Sequence, residues 1–342
     1  MDRLEPRLLL DAGPSIVGHW PDGVLGSPLD YVEVTFDGPI NPATFTAEDA
    51  TVALAEPREV GNFFGAGTPY DVQVVGALAY VANGDNGLRI LDVSNPRAPV
   101  ELGSYETGYA NAVVVVGTLA YVADSGAHGG LRIIDVSDPA APFEVGTRAA
   151  DWALEVDVVG SLAYVADKDY GLRILDVSNP TAPVEAGSLA TAGRAFDVDV
   201  VGSLAYVADE LDGLRIIDVS NSAAPVEVGF YDPPASIWGV EVLAGLAYVA
   251  NRSGGLKIID VSNPAAPFEV GSHDTPGDAY DLDVDGLLAY VADYNGGLRI
   301  IDVSDPAAPA EVGYYVTQGL AQNVTVSGSL AYVSDRDDGL RI

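Results

Sequence analysis

The chain contains no cysteine and a single methionine in 342 residues. Without thiols there are no disulfides and no thiolate metal sites, so neither a cystine-stapled scaffold nor a zinc–thiolate centre is available. This permits an extracellular life without requiring one. Basic residues are scarce: 16 Lys and Arg, of which only Lys168 and Lys257 are lysine, stand against 50 Asp and Glu, for a formal charge of -34. A phosphate backbone would be repelled over most of that surface, which excludes nucleic acid as an expected partner. The same acid excess suits a protein kept solvated at high ionic strength. Histidine is limited to His19, His128 and His273, and there is no metal-binding His pair and no nucleophile elbow, so catalysis has little to work with. No apolar run approaches the ~20 residues that span a bilayer. Nor does any stretch hold helical periodicity over an 11-residue window.

What is abundant is apolar and turn-forming. Hydrophobic residues make up 48% of the chain, with 38 Gly and 22 Pro, enough for a large interior interrupted by many turns. The string A-Y-V recurs with Tyr80, Tyr121, Tyr164, Tyr206, Tyr248, Tyr290 and Tyr332 at one equivalent position, spaced by 41 to 43 residues. A period that regular marks a repeat fold. Each unit reads as four short β-runs separated by turn residues; in the fourth copy these are FDVDVVG, SLAYVAD, GLRIIDVS and PVEVGFY. Four antiparallel strands per repeat match a propeller blade, whereas a solenoid coil of that length would include a helix or a longer parallel run.

The ends of the chain fit a ring. The sequence stops at GLRI, inside the third strand of the seventh unit, while residues 57–64, PREVGNFF, align with the fourth-strand sequence PVELGSYE from Pro99. The expectation is therefore an all-β, seven-bladed β-propeller of four-stranded antiparallel blades, its ring closed by an N-terminal strand that completes the last blade.

The strings GLRILDVSNP and GLRIIDVSDP and their relatives resemble the LVIVD-repeat family of bacterial and archaeal propeller proteins, over roughly residues 57–342. That resemblance implies a surface or secreted location and a binding role without catalytic residues. Ahead of it, residues 4–10, LEPRLLL, resemble the LEPR-x-LL segment near the start of large exported bacterial proteins, and residues 31–54 resemble the first strands of a bacterial Ig-like domain, ending about halfway through one. The expected organisation is an N-terminal segment over 1–26, a partial Ig-like β segment over 27–56, and the propeller over 57–342.

Comparison of the copies separates scaffold from variable surface. Turns between first and second strands (VGS, VGT, VGA) and between third and fourth (SNPRAP, SDPAAP, SNPTAP) barely change, as tight-turn punctuation requires. The loops leading into each next blade (ETGYAN, RAADWAL, DPPASIW) and the turns between second and third strands (NGDN, DKDY, NRSG) differ in every copy. Strand alternation places both variable sets on one rim, where a partner-specific site belongs. At the entrance to the innermost strand one position holds Tyr70, Asn111, Leu154, Phe196, Trp238, Tyr280 and Gln322, with Tyr109 and Trp152 two residues before it in two copies. Tyr70, Tyr109, Trp152, Phe196, Trp238 and Tyr280 are the candidate ligand-binding rim, able to stack on sugars or to anchor a protein; the alternative is that they plug the channel mouth and pack between blades.

Carboxylates follow just inside. Asp71, Glu155, Asp157, Asp197, Asp199, Glu241, Asp281 and Asp283 occupy the second and fourth positions of the innermost strands. Facing a narrow channel, such a cluster needs cations, protons or backbone donors. Oxygen-only ligands favour Ca²⁺ or Mg²⁺, which makes Asp157, Asp199, Glu241 and Asp283 the candidate metal ligands; hydrogen bonds to amides of the neighbouring blade are the structural alternative. Turns such as D-R-D-D-G from Asp335 and D-K-D-Y-G from Asp167 faintly resemble calcium loops but lack the downstream Glu. The basic position Arg89, Arg132, Arg173, Arg215, Lys257, Arg299 and Arg341 recurs too regularly for an anion site and points to a repeated ion pair within each blade.

The expected function is a monomeric, non-catalytic, secreted or cell-surface module binding a protein or glycan. A structural spacer is the main alternative, and a carbohydrate-active enzyme using two channel carboxylates is a third, disfavoured because acids that repeat with the blades do not differ in environment as a catalytic acid and base must.

Overall fold

A computed structural model describes residues 56–65, 67–126, 129–149 and 152–342, and ahead of them the backbone of four short strands. The chain divides into two compact units, residues 1–58 and 59–342. In the first, Arg3–Leu4 pairs antiparallel with Val52–Ala53, and Ile16–Trp20 with Glu33–Phe36. The remainder of the LEPR-x-LL-like and Ig-like stretches lies outside the described residues, as do His128 and the side chain of His19. Among the described residues there is no helix, hence none long and apolar enough to cross a membrane.

The second unit is seven antiparallel four-stranded sheets arranged in a cycle, with the innermost strand of each blade against that of the next and the seventh against the first. Blade 4 is representative: Ala195–Val201 innermost, then Leu204–Asp209, Gly213–Asp218 and Val226–Tyr231. Its second strand, L-A-Y-V-A-D, buries Ala205 and Val207 on one face and Tyr206 and Ala208 on the other, because a blade is covered by a neighbour on each side. The cores accordingly lie between blades. Tyr206, Leu214 and Ile216 of blade 4 pack on Val240, Ala247 and Ile259 of blade 5. Each fully buried aliphatic side chain contributes about 1.5–3 kcal/mol, so the blades hold one another together chiefly by apolar contact.

Closure takes the expected form. Blade 7 comprises Ala321–Ser327, Leu330–Asp335, Gly339–Arg341 and, as its outermost strand, Asn62–Phe63 from the other end of the unit. Val60 N donates to Ile342 O at 2.7 Å and Ile342 N to Gly61 O at 2.9 Å, while Val60 and Phe63 pack on the cluster of Tyr332, Leu340, Ile342, Val72 and Leu91. The recurring basic position explains the side-chain part of the seam. Inside blade 2, Arg132 bridges Asp124 (2.5 Å) and Glu144 (2.8 Å), joining the second strand to the fourth across the third. In blade 7, Arg341 reaches Asp335 (3.5 Å) and Glu59 (3.1 Å), so the incoming strand restores the same bridge, and Tyr315 of blade 6 adds a hydroxyl donor to Glu59 at 3.0 Å.

A glycine in the outer strand of each of blades 1 to 5 seats the next blade, and Gly61 does the same at the seam between blades 7 and 1. At Gly146 a Cβ would lie 2.0 Å from the carbonyl oxygen of Pro180, so the S-N-P turn of blade 3 docks where blade 2 has no side chain. The near-constant turn sequences of that rim are thus packing elements.

Candidate functional site

The variable rim is built by two sets of loops that bond to each other. Lys168 N, in the turn after the second strand of blade 3, donates to Trp152 O (3.0 Å) in the loop that enters that blade, and Glu210 N to Arg194 O (2.8 Å) in blade 4. Buried aspartates at the ends of the second strands tie the two sets together. Asp124 accepts from Gly108 N (2.8 Å), Tyr109 N (2.7 Å) and Gly126 N (2.7 Å), and Asp335 from Gly319 N (3.1 Å). The leading aspartates of the two turns with calcium-loop character are therefore structural: Asp335 holds a loop and Arg341, and Asp167 pairs with Arg173 at 3.2 Å.

The six candidate rim aromatics fall into three groups. Tyr70 and Tyr109, on blades 1 and 2, share a hydrogen bond between their hydroxyls with ring centroids 5.4 Å apart. Phe196, Trp238 and Tyr280, on blades 4 to 6, form a continuous series with centroid separations of 4.5 and 4.4 Å. Trp152 stands apart, 44% exposed, with the Lys168 ammonium 4.7 Å from its ring centroid. All except Trp152 are half-buried.

Two residues that sequence reasoning passed over extend the series. Tyr294 stacks on Tyr280 at 4.5 Å and 7°. The guanidinium of Arg252 lies 4.8 Å from the Trp238 centroid and 5.9 Å from that of Tyr280. Both lie two residues beyond the second strand, and both hold left-handed backbone conformations, φ +40° at Arg252 and +45° at Tyr294, where blade 1 has Gly84 at +52°. All three make the same backbone bridge to the next blade, Gly84 to Ala110, Arg252 to Ala279 and Tyr294 to Ala321. For residues bearing a Cβ that conformation costs on the order of 1–2 kcal/mol. The signal was in the sequence: N-G-D-N-G, N-R-S-G-G and D-Y-N-G-G align, and only the first puts glycine where the backbone needs it.

Beneath the mouth, seven of the eight carboxylates form an inter-blade ladder, while Glu155 accepts from Val156 N of its own strand at 3.1 Å. At the fourth position, Asp157 accepts from Val200 N (3.0 Å), Asp199 from Val242 N (2.6 Å), Glu241 from Val284 N (2.7 Å) and Asp283 from Val326 N (2.5 Å). At the second position, Asp71 accepts from Val113 N (2.7 Å), Asp197 from Val240 N (2.6 Å), and Asp281 from Val324 N (3.3 Å) and Asn323 Nδ2 (2.9 Å). Uncharged side chains do the same work elsewhere in the ring, Gln73 accepting from Val115 N at 2.5 Å and Asn323 from Val72 N at 3.2 Å. The rung thus needs an acceptor oxygen, not a charge.

Burial raises the pKa of every one of these acids: Asp71 and Asp199 to about 6, Asp197 to about 7, and Glu241, which also feels Asp283, to about 8. Glu155 and Asp281 are pushed well above the usual carboxylate range, by burial and then by neighbouring carboxylates, and burial also raises Asp157 and Asp283. Amide donors of the neighbouring blade meet part of the repulsion among these acids. Among the described residues no three acidic or histidine side chains are grouped to hold a metal, so the candidate ligands Asp157, Asp199, Glu241 and Asp283 are not gathered into a Ca²⁺ cage. Each instead commits an oxygen to the adjoining blade.

LVIVD repeats match the chain in seven consecutive segments, 66–107, 107–149, 152–191, 192–233, 236–275, 276–317 and 318–342. No curated protein matches it. Solved structures with the same fold include the computationally designed Ika8 protein (TM-score 0.62, 6% identity, 83% of this chain and 99% of that one) and the WD40 repeats of RRP9 (TM-score 0.65, 12% identity, 84% of this chain and 92% of that one). At those identities the likeness is one of architecture alone.

Proposed function

The chain belongs to the LVIVD-repeat family, and on that premise we propose that it is a non-catalytic module that binds a protein or glycan, secreted or displayed at the cell surface, through the rim of variable loops. The observation that carries this reading is the asymmetry between the two rims. One is made of nearly identical turns that seat neighbouring blades, and the other of dissimilar loops that cluster aromatic side chains at the channel mouth. Rigid scaffolds with one variable, aromatic-rich face are built for recognition, since aromatic groups offer large contact area at small entropic cost. The channel carboxylates support a binding role over a chemical one because they are committed to holding blades together. Freedom from cysteine and the LEPR-x-LL resemblance support an exported location.

The test is a glycan array alongside pull-down from cell-surface extracts, with Trp152→Ala and Trp238→Ala as controls. Hits lost in either variant support rim recognition. A flat response of the parent protein to every glycan and extract would favour a structural spacer.

A further inference from the structure

We propose that the channel is closed at the variable rim by a lid of side chains latched by Arg336, and that it opens to solvent only at the rim of near-constant turns. This goes beyond the reading of the variable rim as a binding surface and stands whether or not a partner docks there. One residue joins the two aromatic groups at the mouth. Arg336, in the turn after the second strand of blade 7, donates to the Tyr294 hydroxyl, and its charge is felt by Tyr70, Tyr109 and Tyr280. The contacts then run from Tyr109 and Tyr70 on blades 2 and 1, through Arg336 on blade 7, to the stacked series of blades 6, 5 and 4. Among the described residues blade 3 adds no ring to this belt, its own position there being Leu154.

A lid also accounts for the left-handed backbones of Arg252 and Tyr294. Gly84 makes the equivalent bridge to the next blade without any side chain, so the backbone pairing does not require an Arg or a Tyr. What these side chains accomplish is at the mouth, where Arg252 covers Trp238 and Tyr280, and Tyr294 adds a ring between Tyr280 and Arg336. Burial along the channel runs in the direction a seal at this end requires. In blades 3, 4 and 6 the acid nearer the mouth is raised further than the one below it: Glu155 more than Asp157, Asp197 (about 7) more than Asp199 (about 6), and Asp281 more than Asp283. Burial is the largest cause in all six. Blade 5 offers no such pair, since Gly239 stands above Glu241. Beyond the acids, Val75, Val116, Val159 and Val201 alternate onto the same side of the inner strands and are 40–46% exposed. The channel is thus driest under the aromatic rings and wet at the opposite end. A partner at the variable rim accordingly meets the outer face of the lid.

The experiment reads solvent access level by level along the channel. Amide hydrogen exchange is followed by NMR in wild type, Arg336→Gln and Tyr294→Gly, with unfolding midpoints recorded alongside. Val113, Val240 and Val324 N donate to the acids under the lid, and Val200, Val242 and Val326 N to those below. In wild type the upper set is expected to exchange at least about tenfold more slowly than the lower. In either variant the upper set should approach the lower rate while the lower set stays unchanged. Tyr294→Gly removes the ring to which Arg336 donates and relieves a left-handed backbone, so it carries the test if Arg336→Gln fails to fold. Equal rates for the two sets in wild type would overturn the proposal. So would folded variants that leave the upper set slow, or that speed both sets together as the midpoint falls, since loss of a merely structural contact loosens the whole ring.

Discussion

The buried acid ladder makes an unusual demand on pH dependence. Asp197, at about 7, and Glu241, at about 8, hold their protons far more tightly in the folded ring than in an unfolded chain, where such groups titrate near 4. The folded state therefore binds more protons than the unfolded state between those values, and stability falls as pH rises through that interval. The contribution is complete below about pH 4 and is lost as pH rises through 6 to 8, the window set by Asp71, Asp199, Asp197 and Glu241. At about 1.4 kcal/mol per pH unit per proton, Asp197 alone corresponds to roughly 4 kcal/mol. The acids repel one another, so ionisation of one holds the proton on the next and the individual effects do not add. A total on the order of 5 kcal/mol between pH 5 and pH 8.5 is the expectation, about 10 °C in the unfolding midpoint for a unit of this size. The assay is a series of thermal melts at constant ionic strength from pH 4.5 to 8.5, on wild type and on the double variant Asp197→Asn, Glu241→Gln. The variant should flatten the profile without unfolding the ring, because Gln73 and Asn323 already serve as amide rungs in blades 1 and 7. A wild-type midpoint that rises from pH 5 to 8.5, or the same slope in the double variant, would refute the reasoning.

Deletion of residues 57–64 removes the outer strand of blade 7 and should lower the midpoint by on the order of 10 °C and promote aggregation, measured by calorimetry and light scattering; a deletion variant that melts with its parent would count against closure. The milder Glu59→Ala leaves Arg341 its partners Asp335 and Asp338, so about 1–2 kcal/mol is expected in denaturant melts. Gly146→Ala forces a methyl against the Pro180 carbonyl and should cost about 1–3 kcal/mol in the same assay. Millimolar Ca²⁺ should shift the midpoint no more than NaCl of equal ionic strength, since the channel acids are spent on amides; a Ca²⁺-specific increment abolished by Asp199→Asn with Asp283→Asn would reinstate a metal site.

Blade number, four strands per blade and strand exchange between the ends were legible in the sequence, because each is a matter of period and alternation. A 42-residue recurrence of A-Y-V counts blades, and PREVGNFF aligned on PVELGSYE identifies the spare strand. The ion pairs of the recurring Arg position were legible for the same reason, a repeated cation in a repeated environment. What alignment could not supply was the relation between neighbouring blades. Whether Asp199 meets a cation or the amide of Val242 depends on how closely two inner strands approach, a distance that exists only once the ring has closed and that no spacing within one repeat encodes. The same holds for the rim, where residues at one equivalent position sort into a hydroxyl pair on blades 1 and 2 and a stacked series on blades 4 to 6. Arg252 and Tyr294 join that series because their left-handed backbones carry them across to the next blade, a conformation the sequence marks only by the glycine it lacks. Local propensity and period thus determine which strands form and how many; packing across the seven interfaces decides what the side chains between them can do.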